Sequence, residues 1–393
     1  MNAHERSQLG SPGGATPRSR TAVLALLGAL LVTLVVGARA LADDESAEPN
    51  PSDVARAEVS AEELVRGMTI SCQTWGWEWG SEGFRDELVD LASLGTNWVA
   101  IHPYARILAD GTVRWRAFDP DDPPEWLTGP LRDARAEGLR LFVKPHLAYW
   151  GSPFSWRGEI EFADAEDRAR FWSSYTEWIV AVARACAGAD AFAVGTELDR
   201  LLDQEAEWRE VITAVRAVTD TKLTYAANWS DFERVPFWDA LDAVGVQAYF
   251  PLLPIGDGGT TAEGSPETVA GLPDEDVLRT GWSSVLERLR AVHGRTGKPV
   301  VFTELGYDVS LVAALEPWKD GRVASELRAV GEAYQERCYR VAFEVLERER
   351  AWLRGAFLWK WFVGEPGRGD GSFYVDRQPL RALLQRHWAA EED

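Results

Sequence analysis

Cysteine and histidine are scarce in this chain of 393 residues, which has only three of the first and five of the second. Cys72, Cys186 and Cys338 are odd in number and far apart, so we expect no disulfide framework. No two histidines, and no cysteine pair, stand at the spacing of zinc ligands. The sequence therefore predicts chemistry that uses no metal.

Nucleotide-binding motifs and excess positive charge are also missing. No Gly-x-Gly-x-x-Gly turn follows the first predicted strand and no P-loop occurs, so we expect no cofactor. The 41 basic residues are outnumbered by 62 acidic ones, giving a net charge of −21. This charge argues against nucleic acid or an anionic membrane surface as partner and favours a neutral or cationic ligand.

The first 42 residues have the parts of an export signal, namely Arg18 and Arg20, an apolar run from 21 to 37, and small residues up to Ala42. The alternative is an uncleaved membrane anchor over residues 21–38. Both place the protein outside the cytoplasm, either secreted or anchored to the outer face of the cytoplasmic membrane. Residues 43–61 are rich in Asp, Glu, Pro, Ser and Ala without periodicity, which predicts a short disordered linker.

Residues 62–393 are predicted to form one catalytic domain. Within it, eight apolar strand-like runs alternate with amphipathic helix patterns, which favours a (β/α)8 barrel, a TIM barrel of the α/β class, over a doubly wound sheet. A Gly-, Pro- and Thr-rich connection from 252 to 274 predicts a lid or a disordered loop. The strands are expected near 67–72, 97–104, 141–146, 191–197, 223–228, 243–249, 298–307 and 355–362.

Two of these strands end in a carboxylate. Glu197 ends the fourth strand and Glu304 the seventh, and strand ends of a barrel meet at one mouth. A buried acid needs a partner or a function. One protonated and one ionised carboxyl are what hydrolysis of a glycosidic bond requires, so we expect Glu197 and Glu304 to be catalytic.

The residues around these acids resemble a known family. Gly195-Thr196-Glu197-Leu198, Phe302-Thr303-Glu304-Leu305-Gly306-Tyr307 and Trp359-Lys360-Trp361 look like the clan of retaining (β/α)8 glycoside hydrolases, and most of all like family 113, whose characterised activity is β-1,4-mannan hydrolysis. The resemblance covers residues 67–384 and implies Glu197 as acid/base and Glu304 as nucleophile. One departure is Thr196, because the clan usually has Asn there to bind the substrate 2-hydroxyl.

Further residues at the strand ends are candidates for substrate binding. The resemblance implies that Tyr249 holds the nucleophile, although a core position is the alternative. The chain has 19 tryptophans, and indole stacks well on sugar rings, although most are expected in the core. The candidate substrate-binding set is Trp75, Lys144, His146, Thr196, Asn228, Tyr249, Trp359 and Trp361, with His102 and Tyr104 as weaker candidates.

We therefore expect an exported retaining glycoside hydrolase that cuts a β-linked polysaccharide or oligosaccharide, with β-1,4-mannan as the leading substrate, by a two-carboxylate double displacement. The alternative is a non-catalytic carbohydrate-binding or cell-surface protein on a glycosidase-like barrel. Release of reducing ends from purified polysaccharides separates the two hypotheses.

Overall fold

The predicted strands are all present and close into one barrel. The computed structural model describes residues 63–254, 271–319, 323–367 and 373–389. Within these residues eight parallel strands are hydrogen-bonded in a ring, in the order β1, β2, β5, β7, β8, β9, β10 and β11 around the barrel. These strands are β1 (Val65–Ser71), β2 (Trp98–Ile101), β5 (Arg140–Val143), β7 (Ala191–Thr196), β8 (Lys222–Asn228), β9 (Val244–Gln247), β10 (Val300–Leu305) and β11 (Leu353–Phe362).

Helices follow most of these strands and cover the outside of the barrel. Asp164 caps α3 by accepting hydrogen bonds from the backbone N–H groups of Glu166 and Asp167, as its position before an amphipathic run predicts. Gly138 has φ of 71°, the left-handed conformation expected just after a helix. The helices of the described chain are α1 (Glu82–Ser93), α2 (Glu125–Ala136), α3 (Ala165–Ala185), α4 (Glu205–Arg216), α5 (Glu275–Thr296), α6 (Arg328–Arg348) and α7 (Leu380–Trp388).

The fifth strand–helix unit differs from the expected repeat. Between β8 and β9 the chain forms only two single 3-10 turns, Phe232–Arg234 and Trp238–Ala240. Pro236 lies between them and cannot donate a helical hydrogen bond. The barrel is therefore closed by eight strands, but the connection from β8 to β9 contains no α-helix.

Two prolines divide predicted strands and build a second sheet at the mouth of the barrel. Pro103 and Pro145 have no N–H for a strand ladder, and the second and third predicted strands are each interrupted there. The chain continues as β3 (Tyr104–Ile107) and β6 (His146–Ala148), which pair in parallel and join β4 (Val113–Arg114) in a three-stranded sheet. This sheet extends the wall beyond the barrel on the side of β2 and β5.

The inside of the barrel changes from apolar to polar along the strands. Ala100, Phe142, Ala193 and Phe357 form a small cluster, separate from the large core between barrel and helices. Toward the carboxyl ends of the strands the buried residues become polar, as a barrel with its active site at that end requires. These buried polar residues include Ser71, His102, Lys144, Gln247, Thr303 and Glu304.

Three predictions fall outside the described residues in whole or in part. The signal or anchor segment 1–42 and the linker 43–61 lie entirely outside them, as do residues 255–270 of the long connection. Among the helices that the structure does describe, none combines the length and the apolar character needed to span a bilayer.

Candidate active site

A cavity of about 600 Å³ opens at the carboxyl ends of the barrel strands. Both predicted acids, Glu197 and Glu304, line it. The rest of the wall is mostly aromatic, which suits a ligand with both hydroxyl groups and apolar faces. The other lining residues are Tyr104, His146, Trp156, Arg157, Asn228, Trp229, Ser230, Tyr249, Trp318, Trp359 and Phe373.

Glu304 is held at the end of β10 by partners on both carboxylate oxygens. The ammonium of Lys144 forms an ion pair with Oε1, and the hydroxyl of Tyr249 donates to Oε2 at 2.6 Å. Only 4% of Glu304 is exposed. Charge-assisted hydrogen bonds of this kind stabilise the ionised carboxylate and fix its orientation.

Lys144 is fully buried and reaches Glu304 across the barrel from the end of β5. Its Nζ also donates to the side-chain oxygen of Gln247 at 3.3 Å and to the backbone oxygen of Thr303 at 3.1 Å. Burial lowers the pKa of Lys144, and the negative charge of Glu304 opposes that shift. The ammonium thus has three oxygen partners that replace the water it has lost.

Glu197 lies on the opposite side of the mouth in an unusual backbone conformation. It follows the last residue of β7 and has φ of 51°, the left-handed region that a residue with a side chain seldom occupies. Its N–H donates to the Ala226 carbonyl at 2.9 Å, and the next N–H, of Leu198, donates to the Tyr225 hydroxyl at 2.7 Å. These bonds hold a turn that directs the carboxylate into the cavity.

The electrostatic surroundings of Glu197 favour its neutral form. Burial raises the pKa of Glu197, the negative charge of Glu304 adds to the increase, and the Arg157 guanidinium opposes it. Nη1 of Arg157 lies 3.4 Å from Oε2 of Glu197, too weak a contact to replace a short paired hydrogen bond. The carboxyl is 17% exposed, so a ligand in the cavity can reach it.

Stacked rings support one wall of the cavity, which His146 and Trp359 line, while His102 is fully buried behind them. The imidazoles of His102 and His146 lie 4.9 Å apart with an interplanar angle of 22°, and Trp359 stacks on His146 at 6.2 Å. Burial lowers the pKa of both histidines well below its usual value, and the charges of Lys144 and Arg157 act in the same direction. Both imidazoles are therefore neutral, and each ring can accept or donate a hydrogen bond without bringing another charge.

Asp199 and Asn228 form a buried pair behind Glu197. The Asn228 amide donates to a carboxyl oxygen of Asp199 at 3.2 Å, and Asn228 also lines the cavity. Burial raises the pKa of Asp199 to about 8, and the carboxylates of Asp231 and Glu197 contribute. Asp199 therefore holds Asn228 in place while remaining largely neutral near pH 7.

Most of the predicted site residues come together here. Glu197, Glu304, His146, Asn228, Tyr249 and Trp359 line the cavity, and Lys144 lies directly beneath it on Glu304. Of the two weaker candidates, Tyr104 lines the cavity, whereas His102 is fully buried and stacks on His146 behind the wall.

Three predicted residues lie elsewhere. Trp361 is one of the predicted substrate-binding residues, but it is fully buried and its indole N–H donates to Glu87 on α1 at 2.7 Å. The register of β11 against β1 shifts between Leu358 and Trp361, and this extra residue breaks the alternation of faces.

Thr196 and Trp75 are the other two residues that do not reach the cavity wall. The hydroxyl of Thr196 is buried and donates to the Pro145 carbonyl at 3.0 Å, so its proton is not available to a substrate. Trp75 lines a second cavity, which it shares with Trp77. The proline break after Lys144 exposes the carbonyl that Thr196 binds, a contact that strand patterning could not predict.

Several cavity residues were missed because they lie on connections without periodicity. Trp156 and Arg157 come from the loop after β6, and Trp229 stacks on Trp318 with a centroid distance of 5.2 Å. Phe373 faces Tyr249 edge-on at 6.2 Å. For the tryptophans of this group, the sequence signal was the high tryptophan content, which does not indicate which tryptophans lie outside the core.

The arrangement defines a class of enzyme. Two carboxyl groups face one cavity, one with a cation and a hydroxyl on its oxygens and the other in an environment that favours its proton. Such a division of roles allows one acid to protonate a leaving oxygen while the other acts as nucleophile or base. A TIM barrel with this site and an aromatic wall is a glycoside hydrolase.

Comparison with known protein families also identifies a glycoside hydrolase. The model of Glycoside Hydrolase Family 113 matches residues 68–366, which is most of the chain and includes both acids. The chain belongs to glycoside hydrolase family 113, as the resemblance predicts. A comparison with curated proteins found no match.

Solved structures support the fold. The GH113 β-mannanase AaManA from Alicyclobacillus acidocaldarius, in complex with ManMIm, is 25% identical with a TM-score of 0.67, covering 83% of this chain and 97% of that one. A second GH113 β-1,4-mannanase is 22% identical with a TM-score of 0.67 and coverages of 83% and 99%. A family 5 mannosidase from Rhizomucor miehei is 13% identical, with a TM-score of 0.57 and coverages of 83% and 92%.

We expect Lys144→Met to lower both stability and activity. The variant keeps a long unbranched side chain but leaves the buried Glu304 carboxylate without its cation, which typically costs about 3 to 5 kcal/mol. Chemical denaturation measures the free energy of unfolding, and kcat on a polysaccharide or oligosaccharide substrate measures the effect on turnover.

The double variant Lys144→Met/Glu304→Gln is the matched control. It removes both charges together, so we expect it to be more stable than Lys144→Met although it is inactive. A Lys144→Met protein as stable and active as the wild type would show that the ion pair does not support the site.

Proposed function

We propose that this protein is an exported retaining glycoside hydrolase that cleaves β-1,4-mannan, with Glu304 as nucleophile and Glu197 as acid/base. The observation that carries the proposal is the contrast between the two acids. Lys144 and Tyr249 stabilise the charge on Glu304, while burial raises the pKa of Glu197. Paired carboxyls in contrasting environments are how glycosidases assign the two roles.

The reaction proceeds in two displacements. The Glu304 carboxylate attacks the anomeric carbon while Glu197 gives its proton to the departing glycosidic oxygen, which leaves a glycosyl ester on Glu304. Glu197, now ionised, takes a proton from water, and the resulting hydroxide attacks the same carbon and releases Glu304. Loss of charge on Glu304 in the first step weakens its attraction to Lys144, and hydrolysis of the glycosyl ester in the second step restores it.

The aromatic wall supports a sugar polymer as substrate. Trp229 and Trp318 on one side of the mouth and Trp359 on the other present broad ring faces near the two acids. Mannan is proposed because the two similar GH113 structures are β-mannanases. With the Thr196 hydroxyl donating to Pro145, the Asn228 amide is the group in this wall best placed to bind a hydroxyl beside the cleaved bond.

Export is supported by the sequence pattern of residues 1–42, with a basic start, an apolar run and small residues before Asp43. Expression of the full chain, followed by fractionation and N-terminal sequencing, distinguishes cleavage near Ala42 from a retained anchor. Recovery of the intact chain in the cytoplasmic fraction would contradict export.

We expect Glu304→Gln to lose at least about 10³-fold in kcat on β-1,4-mannan, because the neutral amide cannot form the glycosyl ester. Release of reducing ends measures turnover, and far-UV circular dichroism checks that the barrel is intact. Near-normal activity would remove Glu304 as nucleophile. Proton NMR of the wild-type reaction should show the β-anomer first, and early appearance of the α-anomer would contradict the double displacement.

We expect the alkaline limb of the pH profile to report Glu197. The enzyme needs the proton on Glu197, so kcat/KM is full below the raised pKa and falls as pH rises through it. Arg157→Met removes a cation that lowers that pKa, so the limb should move to higher pH.

A dinitrophenyl glycoside supplies the control, because its leaving group departs without a proton and its glycosylation step should lose the alkaline limb. An alkaline limb that stays in place in Arg157→Met, or persists with this substrate in single-turnover measurements, would show that another group carries the proton.

A further inference from the structure

A second cavity adjoins the active site. It has a volume of about 460 Å³, and Tyr104 lines both cavities. Trp75 and Trp77, which are 38% and 53% exposed, lie on its wall with Arg106, Arg114 and Arg116. We call this cavity the arginine groove. Because Tyr104 lines both cavities, the arginine groove lies next to the active site.

Among the described residues, these three arginines have no acidic partner. Arginines elsewhere in the described chain are commonly ion-paired, for example Arg381 with Asp90. Within the parts of the chain that the structure describes, Arg106, Arg114 and Arg116 form no ion pair with Asp or Glu and no side-chain hydrogen bond. Asp122 lines a smaller neighbouring cavity with Arg116, but the two are not paired.

The sheet brings two of these charges together at an energetic cost. Arg106 on β3 lies directly opposite Arg114 on β4 in an antiparallel pair. Like charges in this position repel each other and destabilise the pair. In a chain with 62 acidic residues, three neighbouring arginines that pair with no described carboxylate are a local exception. Such departures from the usual pattern are expected at binding sites.

Contact with tryptophan leaves the arginines able to donate hydrogen bonds. The guanidinium carbon of Arg106 lies 5.4 Å from the centre of the Trp75 ring, and that of Arg116 lies 5.9 Å from the centre of the Trp77 ring. Because no described side chain or backbone oxygen accepts from these guanidinium groups, their N–H donors remain available, and their fork matches the geometry of an oxyanion. The exposed indoles meanwhile offer faces for sugar rings.

We propose that the arginine groove binds negatively charged sugar units of the polysaccharide that the active site cleaves. Carboxylate and sulfate substituents share the required chemistry, a negative oxyanion on a sugar ring. The proposal rests on the proposed hydrolysis and narrows the substrate to polysaccharides that carry negatively charged sugar units. Such a substrate differs from the neutral or cationic ligand that the net charge of the protein favours. The protein as a whole is negatively charged and repels an anionic polysaccharide. A locally positive groove is therefore needed for that polysaccharide to bind.

The test compares three forms of one β-1,4-mannan preparation: unmodified, lightly oxidised at C6 to carboxylate, and sulfated to the same extent. Titration calorimetry with oligosaccharides of each form on Glu304→Gln measures affinity without turnover. At about 0.02 M NaCl we expect a charged form to bind about tenfold more tightly than the unmodified one, and we expect most of that preference to disappear at about 0.5 M. The preferred form identifies the substituent.

Variants then locate the effect. In the Glu304→Gln background, Arg106→Gln/Arg114→Gln/Arg116→Gln should reduce the preference to about twofold or less, and each single variant should reduce it in part. Arg350→Gln is the matched control. Arg350 follows α6 and is paired with Glu347, so this variant should keep the full preference for the charged form. Thermal unfolding confirms that each variant is folded.

Equal affinity for all three forms, or a preference that survives in the triple variant, would overturn the proposal. Failure of this binding proposal can be distinguished from failure of the proposed mannan hydrolysis. If the wild type releases no reducing ends from any form, hydrolysis of mannan is contradicted, while the binding preference in Glu304→Gln still decides whether the groove selects anionic sugars.

Discussion

The site depends on a buried charge, the Glu304 carboxylate, that partners from neighbouring strands compensate at the mouth of the barrel. A carboxylate excluded from water is strongly disfavoured unless a cation and hydrogen-bond donors replace the solvent. Lys144 from β5 and Tyr249 after β9 supply these groups to Glu304 on β10, and Gln247 and Thr303 satisfy the remaining donors of Lys144. Three strands must therefore be in register before the acid can be charged, so stability of the barrel mouth and readiness for chemistry are coupled.

The second acid is set apart from the first by its backbone. Glu197 leaves β7 in a left-handed conformation held by contacts with the next strand, and its counter-ion, Arg157, approaches from a loop. Its neighbours stabilise its charge less completely than those of Glu304, and burial raises its pKa. The two carboxyls are thus distinguished by what surrounds them, which is how one fold can place an acid and a nucleophile within one cavity.

Proline has a larger part in the site than the strand pattern suggests. Pro103 and Pro145 end β2 and β5 and start a small sheet that carries Tyr104, His146 and Arg106 above the barrel. The break at Pro145 also leaves its carbonyl to accept a hydrogen bond from the Thr196 hydroxyl. The two interruptions therefore extend the wall of the active site, redirect the hydroxyl of a residue next to the acid and form the sheet that lines the arginine groove.

The sequence alone determined the eight strands, the helices around them and the two acids at strand ends, because apolar periodicity and the position of a carboxylate after a buried run are local properties. It also indicated the family through three short motifs. It could not assign Trp361, because a register shift between neighbouring strands decides which face a side chain occupies. Nor could it find Arg157, Trp229 or Trp318, which lie on aperiodic connections and reach the cavity only when the barrel closes. Contacts between residues far apart in the chain, such as Lys144 with Glu304, were decided by the tertiary structure, since only closure of the ring brings opposite strands within bonding distance.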